Sequence, residues 1–192
     1  MLEFTPSPRF RFRLGRCLSY DFVGSRPLPT LSQSGVCLRH YHANDRSRVF
    51  QLLSFLPTLY PGGFAWLDGR LREVLDGKAR CTLAVKRSEI LGITIETPKS
   101  AHCVKLSTVF VRPEYRGGGV GRALLNACHD HWQRDSISRC YVTADYRVAD
   151  HLGKLLRPFC FERTCLVQNR YGEGRDEVIF CWDSARLDDF QH

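Results

Sequence analysis

A chain of 192 residues, 43% hydrophobic and 25% charged, is long enough for one well-buried domain and has the balance of an ordinary globular protein. No apolar run approaches the ~20 residues needed to cross a bilayer, so a spanning protein is excluded. The net charge of +8 suits an anionic cofactor or an acidic partner, and the nine cysteines, with no Cys-x-x-Cys pair, read as reduced core residues of a cytoplasmic protein rather than a disulfide frame or zinc site.

Residues 1–35 carry Arg9, Arg11, Arg13, Arg16 and Arg26 against Glu3 and Asp21, with prolines and serines between them, and read as a basic extension. Within it Phe10–Leu14 alternates like an edge strand able to lie on the domain or on a second copy, which allows a homodimer. The domain is expected over 36–183, starting with a short strand at Val36–Arg39 and an Asn44–Asp45 cap before a helix over Arg46–Phe55. Pro61-Gly62-Gly63 breaks the chain, and a second helical spacing runs from Phe64 to Leu75. Cys81–Val85 and Ile90–Glu96 alternate around the polar turn Lys86–Glu89 as a hairpin, and Val104–Val111 extends it to a meander.

A glycine-rich loop follows, and a helix from Val120 that puts Val120, Leu124, Leu125 and Cys128 on one face. Arg139–Asp145 reads as a strand and Val148–Leu156 as a helix ended by Pro158. Phe159–Gln168 and Glu177–Trp182 form a closing hairpin, and 184–192 is a polar tail.

Everything turns on Arg116-Gly117-Gly118-Gly119-Val120-Gly121-Arg122. The first N–H groups of a helix have no partner within it and sit at the positive end of the peptide dipoles, so glycines there open a cradle for phosphate or pyrophosphate. A Walker loop requires Lys and then Ser or Thr after the last glycine, but Arg122 and Ala123 follow Gly121; a dinucleotide fingerprint requires a third glycine at 122. The stretch instead resembles the acetyl-CoA loop of the GNAT superfamily of N-acetyltransferases: Arg116-x-x-Gly119-x-Gly121, preceded by Val109-Phe110-Val111-Arg112-Pro113-Glu114-Tyr115. The order of meander, helix, strand, helix and hairpin from Val36 to Trp182 is also similar to that family's.

The resemblance implies an α/β (α+β) fold: a mixed, mostly antiparallel sheet of about six to seven strands, helices on both faces, and a V-shaped opening between the fourth and fifth strands. It implies acetyl-CoA as cosubstrate, with no metal, and direct acetyl transfer to a primary amine of a small molecule or peptide. The backbone of Val109, Phe110 and Val111 would pair with the pantetheine, while Arg116, the amides of Gly117, Gly118, Gly119, Val120 and Gly121, and Arg122 would face the pyrophosphate. An ammonium of pKa ~10.4 costs about 4.6 kcal/mol to deprotonate at pH 7, so a base or a water relay is expected. The family's base position holds Lys105, which makes Glu96 the first candidate and His102 the second. The family's acid position holds Leu156, which leaves Tyr146 and His151 as substitutes near the thiolate.

Two other readings remain open. The basic charge and arm suit a tRNA-bound amine as acceptor, although nucleic acid is not the favoured partner. Lys105 and Leu156 also fit a degenerate module that binds acyl-CoA without transferring it. His40-x-His42 and His129-x-His131 look like metal pairs, but i,i+2 spacing turns the helical pair apart and no carboxylate cluster joins the first. Cys160 reads as inert.

Overall fold

The structure, a computed structural model, describes residues 30–31, 35–170 and 172–185. Alternating apolar residues make the strands: β1 (Thr30–Leu31), β2 (Val36–His40), β3 (Arg80–Lys86), β4 (Glu89–Ser100), β5 (Cys103–Val111), β6 (Arg139–Asp145), β7 (Glu162–Val167) and β8 (Glu177–Asp183). They form one sheet in the order β1-β2-β3-β4-β5-β6-β8-β7, in which only β5 and β6 are parallel. Counted from Val36, these two are the fourth and fifth strands, where the opening was expected.

The helices are α1 (Arg46–Leu52), α2 (Leu56–Leu59), α3 (Gly63–Leu75), α4 (Val120–Arg134) and α5 (Tyr146–Leu156). One face of the sheet packs Leu83, Ile93 and Ile95 against Val49, Leu53 and Leu67 of the α1–α3 region. On the other face, Leu124 and Ala127 of α4 cover Leu38, Ala84 and Leu91. Leu125 and Trp132 of α4, with Ala149 and Leu156 of α5, cover Leu106, Cys140 and Val142. No helix among the described residues is long and apolar enough to cross a membrane.

Several boundaries differ from those read in the sequence. The helix expected over Arg46–Phe55 stops at Leu52, because Leu53 leaves helical geometry and is fully buried. Asp45 does not cap α1 with its side chain; its carboxylate takes Arg39 at 2.6 and 2.7 Å, Arg48 at 2.6 Å and, in a capping box of the 3-10 turn Ala43–Asp45, the His42 N–H at 3.0 Å. Helix α5 begins at Tyr146 rather than Val148, since the Asp145 carboxylate accepts the Arg147 N–H at 2.9 Å. Strand β7 starts at Glu162, after a turn in which Cys160 takes a φ of 60°. Thr30–Leu31, inside the stretch read as an extension, pairs with β2. The strand-like Phe10–Leu14 and residues 186–192 lie outside the described residues.

The seam that matters is β5–β6. Its register holds for three pairs only, Cys103 with Arg139, Val104 with Cys140 and Lys105 with Tyr141. Just beyond, Thr108 faces Ile95 while Leu106 faces Glu96, so Ser107 is an extra residue bulged out of β5. A bulge bends its strand and increases the local twist, which turns the rest of β5 away from β6. From Leu106 to Val111, β5 therefore has a strand partner on one side only. Ser107 to Val111 are all half-buried, although their strand lies in the middle of the sheet.

Candidate active site

At the wide end of this gap the chain turns through Pro113–Tyr115 into the glycine loop. Arg112 pins the turn: its N–H donates to the Leu91 carbonyl at 2.8 Å and its Nε to that of Ile90 at 2.9 Å. Tyr115 donates its hydroxyl to Glu89 at 2.8 Å. Gly117 and Gly119 take φ of 78° and 83°, which bulky side chains resist. A Cβ at either would meet open space, so the amides stay uncovered. Gly121 is needed for contact, because a Cβ there would lie 3.0 Å from Leu155 of α5. The first backbone bond of α4 runs from Ala123 N–H to Gly119 C=O, leaving the amides of residues 117–121 without an acceptor among the described residues. Arg116 donates to the Val111 carbonyl at 3.0 Å, lies over the Phe110 ring, and has no carboxylate within 4.0 Å among the described residues. Arg122 is exposed. The combination is an anion cradle in line with an unpartnered strand edge.

The other side of the gap is built from side chains. Lys105 is the last β5 residue to pair with β6, and its ammonium lies 5.8 Å from the Tyr141 ring centre. Burial pushes that ammonium down to about 8, while Glu177 opposes the shift. Glu177 opens β8 opposite Asp145 and is 2% exposed. Burial raises its carboxyl above the usual carboxylate range, against the pull of Arg170 and Lys105. Tyr141 pairs with both Lys105 and Cys181, and Glu177 stands four residues before Cys181, so strand alternation sets Lys105, Tyr141 and Glu177 on one face. This is the face that α1–α3 cover over β3 and β4; the Arg175 guanidinium ties the β7–β8 loop to the Leu59 carbonyl of α2 at 3.1 Å.

A family model for the acetyltransferase (GNAT) domain matches residues 66–150, which span α3, the meander, the glycine loop, α4, β6 and the start of α5. This stretch is similar to the GNAT acetyltransferase domain. Among curated proteins none matches the chain. Solved structures share the fold at low identity. Ard1 from Thermoplasma volcanium is 15% identical with a TM-score of 0.66 over 78% of this chain and 97% of that one. The ribosomal-protein-S18-alanine N-acetyltransferase from Escherichia coli is 14% identical with a TM-score of 0.65 over 77% and 93%. A GNAT family acetyltransferase from Elizabethkingia anophelis with acetyl-CoA bound is 14% identical with a TM-score of 0.60 over 79% and 99%.

The residues expected to cradle acetyl-CoA, Val109–Val111 and Arg116–Arg122, are brought together along one wall of the gap. The expected catalytic residues are not. β4 does not end at Glu96 but runs on to Ser100, and Glu96 lies beneath α4, 3% exposed, accepting the Trp132 indole N–H at 2.6 Å. His131 stands 3.7 Å from it and stacks on His40. His102 is exposed at the paired end of β5, its Nδ1 3.0 Å from the Ser136 carbonyl. At about 3.3 Å per residue it is roughly 30 Å from Val111. Tyr146 stands at the wide end, 56% exposed, but its ring lies under Arg163 of β7 on the outer side of the sheet. His151 is exposed. Leu156 is fully buried in the core, so the position of the family's acid is filled by packing.

Sequence reading missed Glu177, Tyr141 and Arg170. The one available signal was an acidic residue opening the apolar run Val178–Trp182, which alternation alone assigns to either face. Among the described residues no group of three or more His, Cys, Asp or Glu is placed to hold a metal ion.

Proposed function

We propose that the protein transfers the acetyl group of acetyl-CoA to a primary amine of a small molecule or peptide, by direct attack within a ternary complex. The observation that carries this reading is the continuity of the β5 edge left open beyond Lys105 with the uncovered amides of residues 117–121. That edge offers main-chain groups to the amide-bearing pantetheine in the manner of an added strand, and the loop offers dipole and N–H groups to the pyrophosphate. Arg116 supplies a guanidinium with no carboxylate within ion-pair distance among the described residues, and Arg122 adds charge at the rim. The space over Gly117 and Gly119 fits this use, since a Cβ there would meet nothing and would only narrow the cradle.

Acetyl-CoA, when bound, supplies an activated thioester. The chain's part is to align that thioester along β5, with a backbone amide such as that of Val111 near its oxygen, and to present the amine from the α1–α3 face. Tyr146 as the group that protonates the thiolate is not supported by its position. A thiol of pKa ~8.5 leaves without a dedicated acid.

Titration calorimetry with CoA and thiol release across a panel of amines test the reading together. Binding with release on at least one amine is the expected result. Binding with no release on any amine would make the protein a CoA-binding module, and no heat at millimolar CoA would remove the whole account.

A further inference from the structure

We infer that Glu177 is the general base that takes the proton from the acceptor's ammonium, and that Lys105, Tyr141, Thr143 and Arg170 form the polar subsite around it. The inference rests on the proposed transfer reaction and assigns the group that the sequence left unassigned.

Three observations place Glu177 there. First, it lies level with the reacting region: Lys105 pairs with Tyr141, Val109 is four residues beyond Lys105, Asp145 is four beyond Tyr141, and Asp145 faces Glu177. Second, it is buried while its neighbours on the same face, Tyr141, Thr143, Ile179 and Cys181, are half-buried. Third, its Oε2 makes no hydrogen bond within the described residues and has Arg170 Nε at 3.3 Å. A buried carboxylate oxygen without a hydrogen-bond donor has an acceptor site to offer a substrate ammonium.

The charges facing it from each neighbouring element are Lys105 of β5, Asp145 of β6 and Arg170 of the β7–β8 loop, with the Thr143 hydroxyl beside it. Burial and Asp145 raise its affinity for a proton; Arg170, Lys105 and Thr143 lower it. The balance suits a base, which works best when its pKa lies close to the operating pH.

Glu177 takes one proton from R–NH3+, and the neutral nitrogen attacks the thioester carbon, forming the C–N bond as the C–S bond breaks. The second nitrogen proton leaves with the CoA thiolate as thiol, and Glu177 releases its proton to water.

The test is Glu177→Gln in the full chain, with CoA affinity by calorimetry and kcat/KM by thiol release from pH 6 to 9.5. Unchanged CoA affinity, a fall in kcat/KM of about 10²- to 10³-fold at pH 7, and partial recovery in Glu177→Asp support the inference. In the wild type, the acid limb of the kcat/KM profile is expected at the same pH for amines of different basicity. A limb that follows each amine's own pKa overturns the inference without any variant. Wild-type rates in a Glu177→Gln protein that binds CoA normally overturn it while leaving the transferase reading intact. A wild type that binds CoA but acetylates no amine overturns both.

Discussion

Two buried glutamates flank the same seam of the sheet, Glu96 3% exposed under α4 and Glu177 2% exposed on the opposite face. By accessibility they are alike, and by surroundings they are opposites. Glu96 meets the Trp132 indole at 2.6 Å beneath α4, with His131 3.7 Å away. Glu177 faces Lys105 and Arg170 on the opposite face of the sheet. The difference teaches that what lies over a buried carboxylate, more than how deeply it is buried, separates a structural group from a chemical one.

The largest effect that would break this contrast is expected at Trp132. Trp132→Ala removes a ring 5.2 Å from that of Trp182 and 5.9 Å from that of Phe161, and leaves Glu96 without its donor. A loss of about 3–5 kcal/mol is expected, or roughly 6–20 °C in Tm, by thermal unfolding. CoA affinity of the protein that remains folded at low temperature should stay within about twofold. A variant that keeps its Tm but loses turnover would reverse the roles given to the two faces.

Arg116→Ala should act the other way, on the ligand and not on the fold. Its guanidinium holds its own strand end, through Val111 and Phe110, so Tm should barely move. Loss of charge-assisted contacts to a diphosphate should weaken CoA binding by about 1.5–3 kcal/mol, or 10- to 150-fold, by calorimetry.

Asp45 gives the contrast a third carboxylate, also buried but fully paired. Hydrogen bonds from Arg39 hold its carboxyl down to about 2, from an ordinary 3.8. A carboxyl depressed on folding stabilises the protein above its unfolded pKa, and that contribution disappears as pH falls from about 4 toward 2. Urea unfolding at pH 5 and at pH 2 should show a difference of roughly 2 kcal/mol from this group, absent in Asp45→Asn. Glu177 runs opposite in sign: its raised carboxyl makes the ionised form cost stability as pH rises through the unfolded value.

The same contrast explains what the sequence disclosed. Strand β6 was legible at both ends, and α4 at its start, because alternation and the glycines act on the local backbone. The wall proposed for the coenzyme was legible for the same reason: it is made of main-chain groups in one stretch, 109–122, where Gly117 and Gly119 take positive φ and Gly121 gives clearance. The proposed acceptor wall draws Lys105, Tyr141, Arg170 and Glu177 from separate strands and a loop, which the parallel β5–β6 register and the β6–β8 pairing bring together. Glu96 attracted attention because it ends an alternating run; the strand in fact continues through Thr97 and Pro98, and alternation delivers its side chain to α4.

The smallest expected effect is the most direct probe of the acceptor wall. Lys105 has an ammonium held down to about 8, so it is mostly charged below that pH and favours the ionised form of Glu177. Lys105→Met removes the charge and keeps the length. Glu177 then loses an attraction that opposes its burial, and its carboxyl moves higher still. The acid limb of kcat/KM should shift to higher pH, with CoA affinity unchanged. Any wild-type inflection near pH 8 should vanish with the lysine. Should the limb stay in place, Lys105 would not act on the base, and its burial against Tyr141 would be a matter of packing at the narrow end of the gap.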